Sequence, residues 1–495
     1  MASLLQSRSR GFRRLGTLRN VTTKRRRSRD AEQILNSRKT IPTVNFNVDL
    51  SMLGDKVDDS NLAIANCRNS VNIRLSWRGA EREEYTRAAT LDRLLDRVVS
   101  ADEFKNTSAL DAFFITYQIY LKADDLFERF MLRFNEAVAS NEIEQQLRVV
   151  EVLQFWVDAH ADNFEDSENL GQKMSEFIAL RNKLRGIINP KVESALDALA
   201  RTMDRFDGGE SLASSNYESR FSQTDLSSKE KEILTVVEES SLQPWEFLAD
   251  SILTPRDIAE QLTNVEVAMF RKIMAVELLG VAWSREGKDE TSPNVRKLIG
   301  HFNQMSRWVA GIILETDSDA ARVNMCQKFI EVALHCKNLN NFNAVFEILA
   351  GVNSVAVHRL KLLEKLPTEV HAEYTRLHEF IRAGGNYNSY RKEVTALRED
   401  GVGCVPFLGV SFGDLRSIEM TMDDFEETPS GKTLINFKKQ RQVAGIIREL
   451  LDSFSPNFDI EEIKPLEAFI KAEIYNTTIT DDDLWNLSCQ ILPSK

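Results

Sequence analysis

Four asparagines stand among six consecutive residues at the start of one segment: Asn338, Asn340, Asn341 and Asn343. Asparagine side chains cap helix ends and bridge loops. The apolar residues that accompany and follow them recur at helical spacing, namely Phe342, Val345, Phe346, Leu349 and Val352. Taken by itself, this pattern predicts a capped core helix rather than a catalytic site.

Another stretch, Ser430-Gly431-Lys432-Thr433, is similar to the end of a phosphate-binding loop. That loop needs a glycine five residues before Gly431, where the chain has Glu426, and it needs a preceding strand, which the sequence pattern does not indicate. The sequence contains no H-E-x-x-H helix, and its G-x-S-x-G string, at residues 409–413, lacks the preceding strand pattern that a nucleophile turn needs. Neither nucleotide hydrolysis nor covalent catalysis is therefore expected of this chain.

Composition indicates a globular protein without membrane spans. The 495 residues are 42% hydrophobic and 28% charged, which suits about three domains. No apolar run approaches the ~18 residues that a transmembrane helix needs. The five cysteines are scattered, and no pair has zinc-ligand spacing. We therefore expect reduced thiols in the cytoplasm, no metal site and no cofactor.

Charge is distributed unevenly along the chain. Residues 1–29 hold ten Lys and Arg and no Asp or Glu, within a net charge of −12, so the remainder carries −22. An acidic body argues against nucleic-acid binding. The basic segment has the composition of a disordered tail. It also suits contact with anionic lipid, a nuclear-import signal at Lys24–Arg27, or a mitochondrial presequence, although the domains downstream argue against the last.

Helical periodicity dominates from about residue 70 to 204 and again from 241 to 495. Thr254-Pro255-Arg256-Asp257 has the composition of a helix start, with a capping threonine and a proline in the first turn. Residues 205–240 are rich in Ser, Gly and charge and are predicted to be a linker, and residues 1–69 a basic, disordered region. No alternating pattern outweighs the helices, so the predicted fold is all-α.

Three apolar stripes mark the first helical domain, at Leu91, Leu94, Leu95 and Val98; at Leu126, Phe127, Phe130, Met131 and Phe134; and at Leu147, Val150, Leu153 and Val157.

Several strings, taken in order, resemble the Ras-family guanine-nucleotide exchange factors. The first helical domain resembles the Ras exchanger motif, which precedes the catalytic domain in that family. The catalytic-domain strings are LTPRDIAEQLT, ELLGVAW, SPNVRKLIGHFNQMSRW, LNNFN, GNYNSY, CVPFLG and LINFKKQRQVAGIIREL.

This resemblance implies an all-helical exchanger module packed against an all-helical catalytic domain, from which a helical hairpin protrudes. The implied activity is GDP release from a Ras-subfamily GTPase of the Ras, Rap or Ral type. It involves no covalent chemistry, so we do not class the chain as an enzyme. The implied location is the cytoplasm, with recruitment to the plasma membrane as a further expectation.

The resemblance also implies site residues. GTPase-binding positions correspond to Ile299, Phe346, Asn353, Tyr387, Phe407 and Arg416. The hairpin wedge corresponds to Asp414, Leu415 and Glu419, on a first helix near 412–419 and ahead of a second helix that starts near 435–437. Neither wedge carboxylate is expected to be buried, so replacing both should cost only ~0.5 kcal/mol.

Two positions depart from the family pattern. Met420 stands where the family has the carboxylate credited with displacing magnesium, and Gly413 stands where threonine is common. These departures keep an alternative open, namely a noncatalytic scaffold that binds a GTPase through a degenerate hairpin.

Overall fold

The structure is a computed structural model that describes residues 72–78, 83–165, 167, 169–184, 188–207, 227, 230, 233, 244–249, 253–454 and 458–493. The predicted N-terminal region and nearly all of the predicted linker lie outside these residues. The described residues divide into two compact units. The N-terminal unit takes the residues before 216 together with 415–446, and the C-terminal unit takes 216–414 and the residues from 447 onward.

Amphipathic helices build most of the N-terminal unit, and the all-α prediction is confirmed. The predicted stripes form its core, since Leu94, Phe130 and Leu153 are fully buried. Burying such apolar faces stabilises the fold by ~25 cal/mol per Å². The helices are α1 (Leu91–Ser100), α2 (Thr107–Thr116), α3 (Ala123–Ala139), α4 (Ile143–Ala159), α5 (Asp162–Glu165), α6 (Leu170–Leu184) and α7 (Pro190–Asp207).

A small antiparallel sheet, which the sequence analysis did not predict, also belongs to this unit. Its strands are β1 (Ile73–Arg78), β2 (Glu83–Ala89), β3 (Phe425–Glu427) and β4 (Thr433–Ile435), in the order β1-β2-β4-β3. The alternation of Ile73, Leu75 and Trp77 is the period-2 signal for β1. Strands β3 and β4 have three residues each, which is too short for a recognisable period.

The predicted helical hairpin is present. Its helices are α17 (Leu408–Thr421) and α18 (Phe437–Ser453), and β3 and β4 lie between them. A strand does precede the Ser430–Thr433 stretch, contrary to expectation, but a second strand follows instead of a helix, and Gly431 makes the turn with a φ of 77°. A phosphate-binding loop is therefore still excluded at this site.

The hairpin contributes to the core of the N-terminal unit. Ile435 and Phe437 belong to that core, and the Phe437 ring lies 5.5 Å from the ring of Phe104. Residue Ala89 of β2 pairs with Ile435 of β4. The hairpin residues have too little apolar surface to form a core of their own, and these contacts hold them in the core of the N-terminal unit.

Helices also build the C-terminal unit, and buried polar groups cap their ends. Thr254 forms the predicted capping box with Asp257. Buried Glu277 accepts hydrogen bonds from the backbone N–H groups of Asn294 and Val295 at the start of α11. Besides residues 408–414 of α17 and 447–453 of α18, the helices are α8 (Pro244–Ala249), α9 (Pro255–Phe270), α10 (Lys288–Thr291), α11 (Pro293–Glu315), α12 (Asp319–Asn338), α13 (Phe342–Val352), α14 (Val355–His358), α15 (Thr368–Phe380), α16 (Asn388–Glu399), α19 (Lys464–Asn476) and α20 (Asp481–Ile491).

No helix in the described part of the chain combines the length and the apolarity needed to cross a bilayer. The four described cysteines are free thiols, and Cys326, Cys336 and Cys404 are buried. Burial raises the pKa of Cys326 to about 12 and that of Cys404 to about 11, so these two thiols are poor nucleophiles.

We predict that a fragment of residues 231–495 expresses poorly or melts at a lower temperature than the full chain. Without the N-terminal helices, Ile435 and Phe437 lose the core that buries them. In the full chain, Phe437→Ala should lower stability by ~3–5 kcal/mol, whereas Lys438→Ala, at the exposed neighbouring position, should change it little. Soluble yield and thermal melting test this, and a fragment as stable as the full chain would contradict it.

Candidate functional site

The asparagine-rich segment starts helix α13, as its pattern predicts. The Asn341 side chain accepts a hydrogen bond from the backbone N–H of Ala344 and donates one to Thr263 Oγ1 at 3.1 Å. The backbone N–H groups of Phe342 and Asn343 both donate to the carbonyl of Val405. The asparagines thus fix the start of α13 against α9 and against the segment that precedes α17.

Three of the predicted GTPase-binding residues form one aromatic cluster. The Phe346 and Phe407 rings stack with centroids 3.8 Å apart and planes 10° apart. The Tyr387 ring lies 6.0 Å from Phe346 and 6.3 Å from Phe407. Both phenylalanines are buried and Tyr387 is half-buried, so Tyr387 is the member that reaches the surface. Tyr390 supports the cluster, because its hydroxyl accepts a hydrogen bond from the backbone N–H of Phe407 at 3.0 Å.

The other two predicted GTPase-binding residues of the C-terminal unit, Asn353 and Ile299, are half-buried. Asn353 caps the end of α13, and its side-chain oxygen accepts a hydrogen bond from the Tyr374 hydroxyl at 2.5 Å. Ile299 lies on α11 one turn before Phe302, whose ring is 5.7 Å from that of Phe407. Ile299 therefore lies near the aromatic cluster, on the same side of α11 as Phe302.

A buried polar cluster joins three helices behind these residues. It consists of Glu266 on α9, His301 on α11, and Asn343 and Glu347 on α13. The Asn343 amide donates to Glu266 Oε1 at 3.0 Å and to Glu347 Oε1 at 2.8 Å. His301 Nε2 lies 3.6 Å from Glu266 and 3.8 Å from Glu347. The cluster was not predicted from the sequence, because its members come from three segments that are far apart in the chain.

The pKa values of the two buried carboxyl groups are shifted in opposite directions. Burial and the charge of Glu266 raise the pKa of Glu347 well above its ordinary value. Burial also acts to raise the pKa of Glu266, but His301, Glu347 and Asn343 outweigh it and lower that pKa. Glu266, His301 and Glu347 have the donor types of a metal site, with donor atoms within 4.8 Å of one another. The raised pKa of Glu347 opposes cation binding, because a carboxyl group must be deprotonated to act as a ligand.

Both predicted wedge carboxylates are ion-paired. Arg391 binds Asp414 with two hydrogen bonds, of 2.8 and 2.9 Å. Lys439, only 2% exposed, donates to Glu419 at 2.7 Å and to Asp424 at 2.6 Å. Neither carboxylate is fully buried, as expected. However, removing Glu419 would leave the buried ammonium of Lys439 with one partner fewer, so the expected cost of ~0.5 kcal/mol for the double substitution is too low.

Three further hairpin residues differ in exposure. Leu415 is 2% exposed, so its side chain is part of the protein core, contrary to its expected place among exposed wedge residues. Arg416 is exposed, and Met420 is 75% exposed. Arg416 and Met420 lie four residues apart in α17 and therefore share one face of the helix. The exposed face of this helix carries a cation and a thioether rather than a carboxylate.

Two domain families match the two helical regions. Residues 85–177 match the RasGEF N-terminal motif, and residues 257–441 match the RasGEF domain. The chain contains both of these domains. The RasGEF match contains the aromatic cluster, the buried polar cluster and α17.

Similar proteins include Ras guanine nucleotide exchange factor A of Dictyostelium discoideum, 27% identical over 78% of this chain and 61% of that protein. Ras-specific guanine nucleotide-releasing factor 2 of Danio rerio is 30% identical over 70% of this chain. Ras-specific guanine nucleotide-releasing factor 1 of Homo sapiens is 28% identical over 70% of this chain. The matches span 26% and 25% of these two releasing factors.

Sequence analysis missed the cations that organise the RasGEF domain. Arg391 follows the quoted GNYNSY string directly, and Lys439 lies inside the quoted LINFKKQRQ string. Their position in or beside strings that resemble the family was the sequence signal that could have identified them. Their partners are distant in the chain, and only the fold brings each cation to its carboxylate.

Replacing Glu347 with glutamine tests whether the pKa of Glu347 is raised in the folded protein. The pKa of Glu347 is raised in the folded protein, so its contribution to stability is lost as the pH rises above 4.5, its ordinary value. Glutamine does not titrate and keeps an N–H donor. From about pH 5 to pH 8, we expect the melting temperature of Glu347→Gln to rise relative to that of the wild type. Exposed Glu369→Gln is the control, and parallel profiles for Glu347→Gln and wild type would contradict the raised pKa of Glu347.

Proposed function

We propose that this chain promotes GDP release, and so GTP loading, on a Ras-subfamily GTPase. The observation that carries the proposal is the presence of both domains in order, a RasGEF N-terminal motif followed by a RasGEF domain, together with a fully formed hairpin. The names of the similar proteins support it. Exchange of this kind breaks no covalent bond.

The mechanism is coupled binding. A GTPase holds its nucleotide through a phosphate loop, a magnesium ion and two switch segments. A factor that binds the switches in a geometry incompatible with tight phosphate binding weakens nucleotide affinity, and the nucleotide weakens the affinity of the factor equally. Rebinding of the nucleotide abundant in the cell then releases the factor. The switch movement is a transition from order to disorder.

The C-terminal unit supplies an apolar binding surface in this proposal. Tyr387 offers a ring edge and a hydroxyl to the GTPase, and Phe346 and Phe407 form the rigid wall beneath it. Asn353 and Ile299 are accessible enough to contribute. A preorganised aromatic surface binds well because few rotamers are lost on association.

The hairpin acts through α17. Arg416 and Met420 are its contact residues in this proposal, because they share the exposed face of the helix. Asp414 and Glu419 instead hold the helix in place through their ion pairs, and Leu415 anchors it in the core. With no carboxylate on the exposed face, the hairpin obstructs the nucleotide sterically, and Arg416 offers a charge to phosphate.

We predict measurable release of fluorescent GDP from at least one member of a panel of purified Ras, Rap and Ral proteins. Arg416→Ala should slow the release without lowering the melting temperature, because the residue is exposed. Arg376→Ala, which removes an exposed arginine from α15, is the control and should have no effect. Binding of a GTPase without faster release would instead support the scaffold alternative, for which the exposed Met420 is the specific observation.

The basic segment 1–29 supplies membrane attachment in this proposal, and the chain works in the cytoplasm with recruitment to the plasma membrane. Ten basic residues without acids would attract anionic lipid at about 1 kcal/mol for each residue near the surface. Attachment of this kind would raise the concentration of the chain beside lipid-anchored GTPases.

Deleting residues 1–30 should leave exchange in solution unchanged. On anionic vesicles that carry the GTPase, the deletion should slow exchange, and more so at low salt, because salt screens the attraction. Neutral vesicles are the control. Equal rates for the full chain and the deletion on charged vesicles would overturn this role.

A further inference from the structure

Arg391 joins two segments of the C-terminal unit. Its two terminal nitrogens bind both oxygens of Asp414, at 2.8 and 2.9 Å. Its Nε donates a third hydrogen bond, to the backbone carbonyl of Asn386 at 2.9 Å. One guanidinium thus holds the turn before α16 and the helix α17 together.

The turn that Arg391 holds is conformationally costly. Gly385, Asn386 and Tyr387 are consecutive residues with φ of 68°, 58° and 59°, in the left-handed region. Glycine adopts this conformation freely and asparagine tolerates it, but a bulky residue such as tyrosine does so at a cost. No side chain caps the first turn of α16. The bond from Arg391 Nε therefore holds the turn that aims the Tyr387 ring at Phe346 and Phe407.

Asp414, the ion-pair partner of Arg391, lies at the point where α17 packs against the rest of the C-terminal unit. The neighbouring Phe412 stacks on Trp283, with ring centroids 4.3 Å apart and planes 22° apart. A ring stack and a bidentate ion pair together restrict rotation of the helix about its axis. The residues that follow, including Arg416 and Met420, continue the same helix.

We propose that Arg391 is a positioning residue for nucleotide exchange. Through one guanidinium it orients the Tyr387 ring and fixes the rotation of α17. This inference rests on the proposed exchange function. It requires arginine, because lysine cannot bind both oxygens of a carboxylate and a third acceptor in one plane.

Exposure separates this role from simple stabilisation. The side chains of Arg391 and Asp414 are 34% and 33% exposed. Ion pairs so accessible to water contribute little to the free energy of folding. Misplacing a contact group by about 1 Å, by contrast, can slow a catalysed step by up to ~100-fold. Breaking the Arg391–Asp414 ion pair should therefore slow nucleotide exchange and hardly change the melting temperature.

The experiment measures GDP-release kinetics and thermal melting for full-length variants, on the GTPase with which the wild type is active. Arg391→Gln should slow exchange by ~10-fold or more, with a higher KM through Tyr387 and a lower kcat through α17. Asp414→Asn leaves the bond to Asn386 in place and should lower kcat alone. Arg391→Lys should recover only part of the loss. The double variant Arg391→Gln with Asp414→Asn should be no slower than Arg391→Gln, because the two residues act as one unit.

Arg398→Gln is the control, since it removes another ion pair of α16, with Glu449 at 2.7 Å and with side-chain exposures of 41% and 61%. It should leave exchange unchanged. The inference is overturned if Arg391→Gln exchanges within about twofold of the wild type, if Arg398→Gln loses as much, or if the loss follows a lower melting temperature. A wild type that releases no GDP from any GTPase of the panel would instead overturn the proposed function, and this inference with it.

Discussion

The hairpin cannot bury enough apolar surface to be stable by itself, and much of the structure follows from that constraint. Residues 415–446 therefore share a core with the N-terminal helices, through Ile435 and Phe437. Around that core, the carboxylate of Glu103 is only 4% exposed and pairs with Arg97 and with Arg441 of α18. Removing one cationic partner of a buried carboxylate strongly destabilises the folded protein. The hairpin and the N-terminal helices thus form one cooperative unit, and the RasGEF N-terminal motif acts as part of the hairpin's core.

Buried charged groups have compensating neighbours in two places. Glu419 and Asp424 neutralise the buried Lys439, and Glu266 and Glu347 lie beside His301 with the pKa of Glu347 raised. Paired groups keep helices in one register, because a shifted register would leave a charge or a donor unsatisfied in a medium of low dielectric constant. The proposed contact residues Arg416 and Met420, by contrast, lie at the surface, where substitution changes binding more than folding.

The aromatic cluster and the buried polar cluster meet on α13. Phe346 belongs to the aromatic cluster and its neighbour Glu347 to the buried polar cluster. The polar cluster holds α13 in position, and the position of α13 sets that of Phe346 beneath the proposed binding surface. Close packing sets that position. A Cβ on Gly351 would lie 2.5 Å from the carbonyl oxygen of Ser306, so α11 and α13 approach each other too closely for any larger residue. Such packing transmits small displacements, and a substitution in the polar cluster should reach Phe346 directly.

The sequence by itself determined the helices, their capping residues and the order of the two domains. The apolar stripes of α1, α3 and α4, the threonine cap of α9 and the asparagine cap of α13 are local signals, set by contacts between residues a few positions apart. Local signals could not supply the three-residue strands β3 and β4, which are too short to show a period; β4 also pairs with β2, which is distant in the chain. Only the tertiary structure decided which charged residues face solvent. Asp414 and Glu419 have the sequence appearance of free carboxylates, but the fold brings Arg391 and Lys439 to them. Ion pairing depends on distance in space, and a sequence records only distance along the chain.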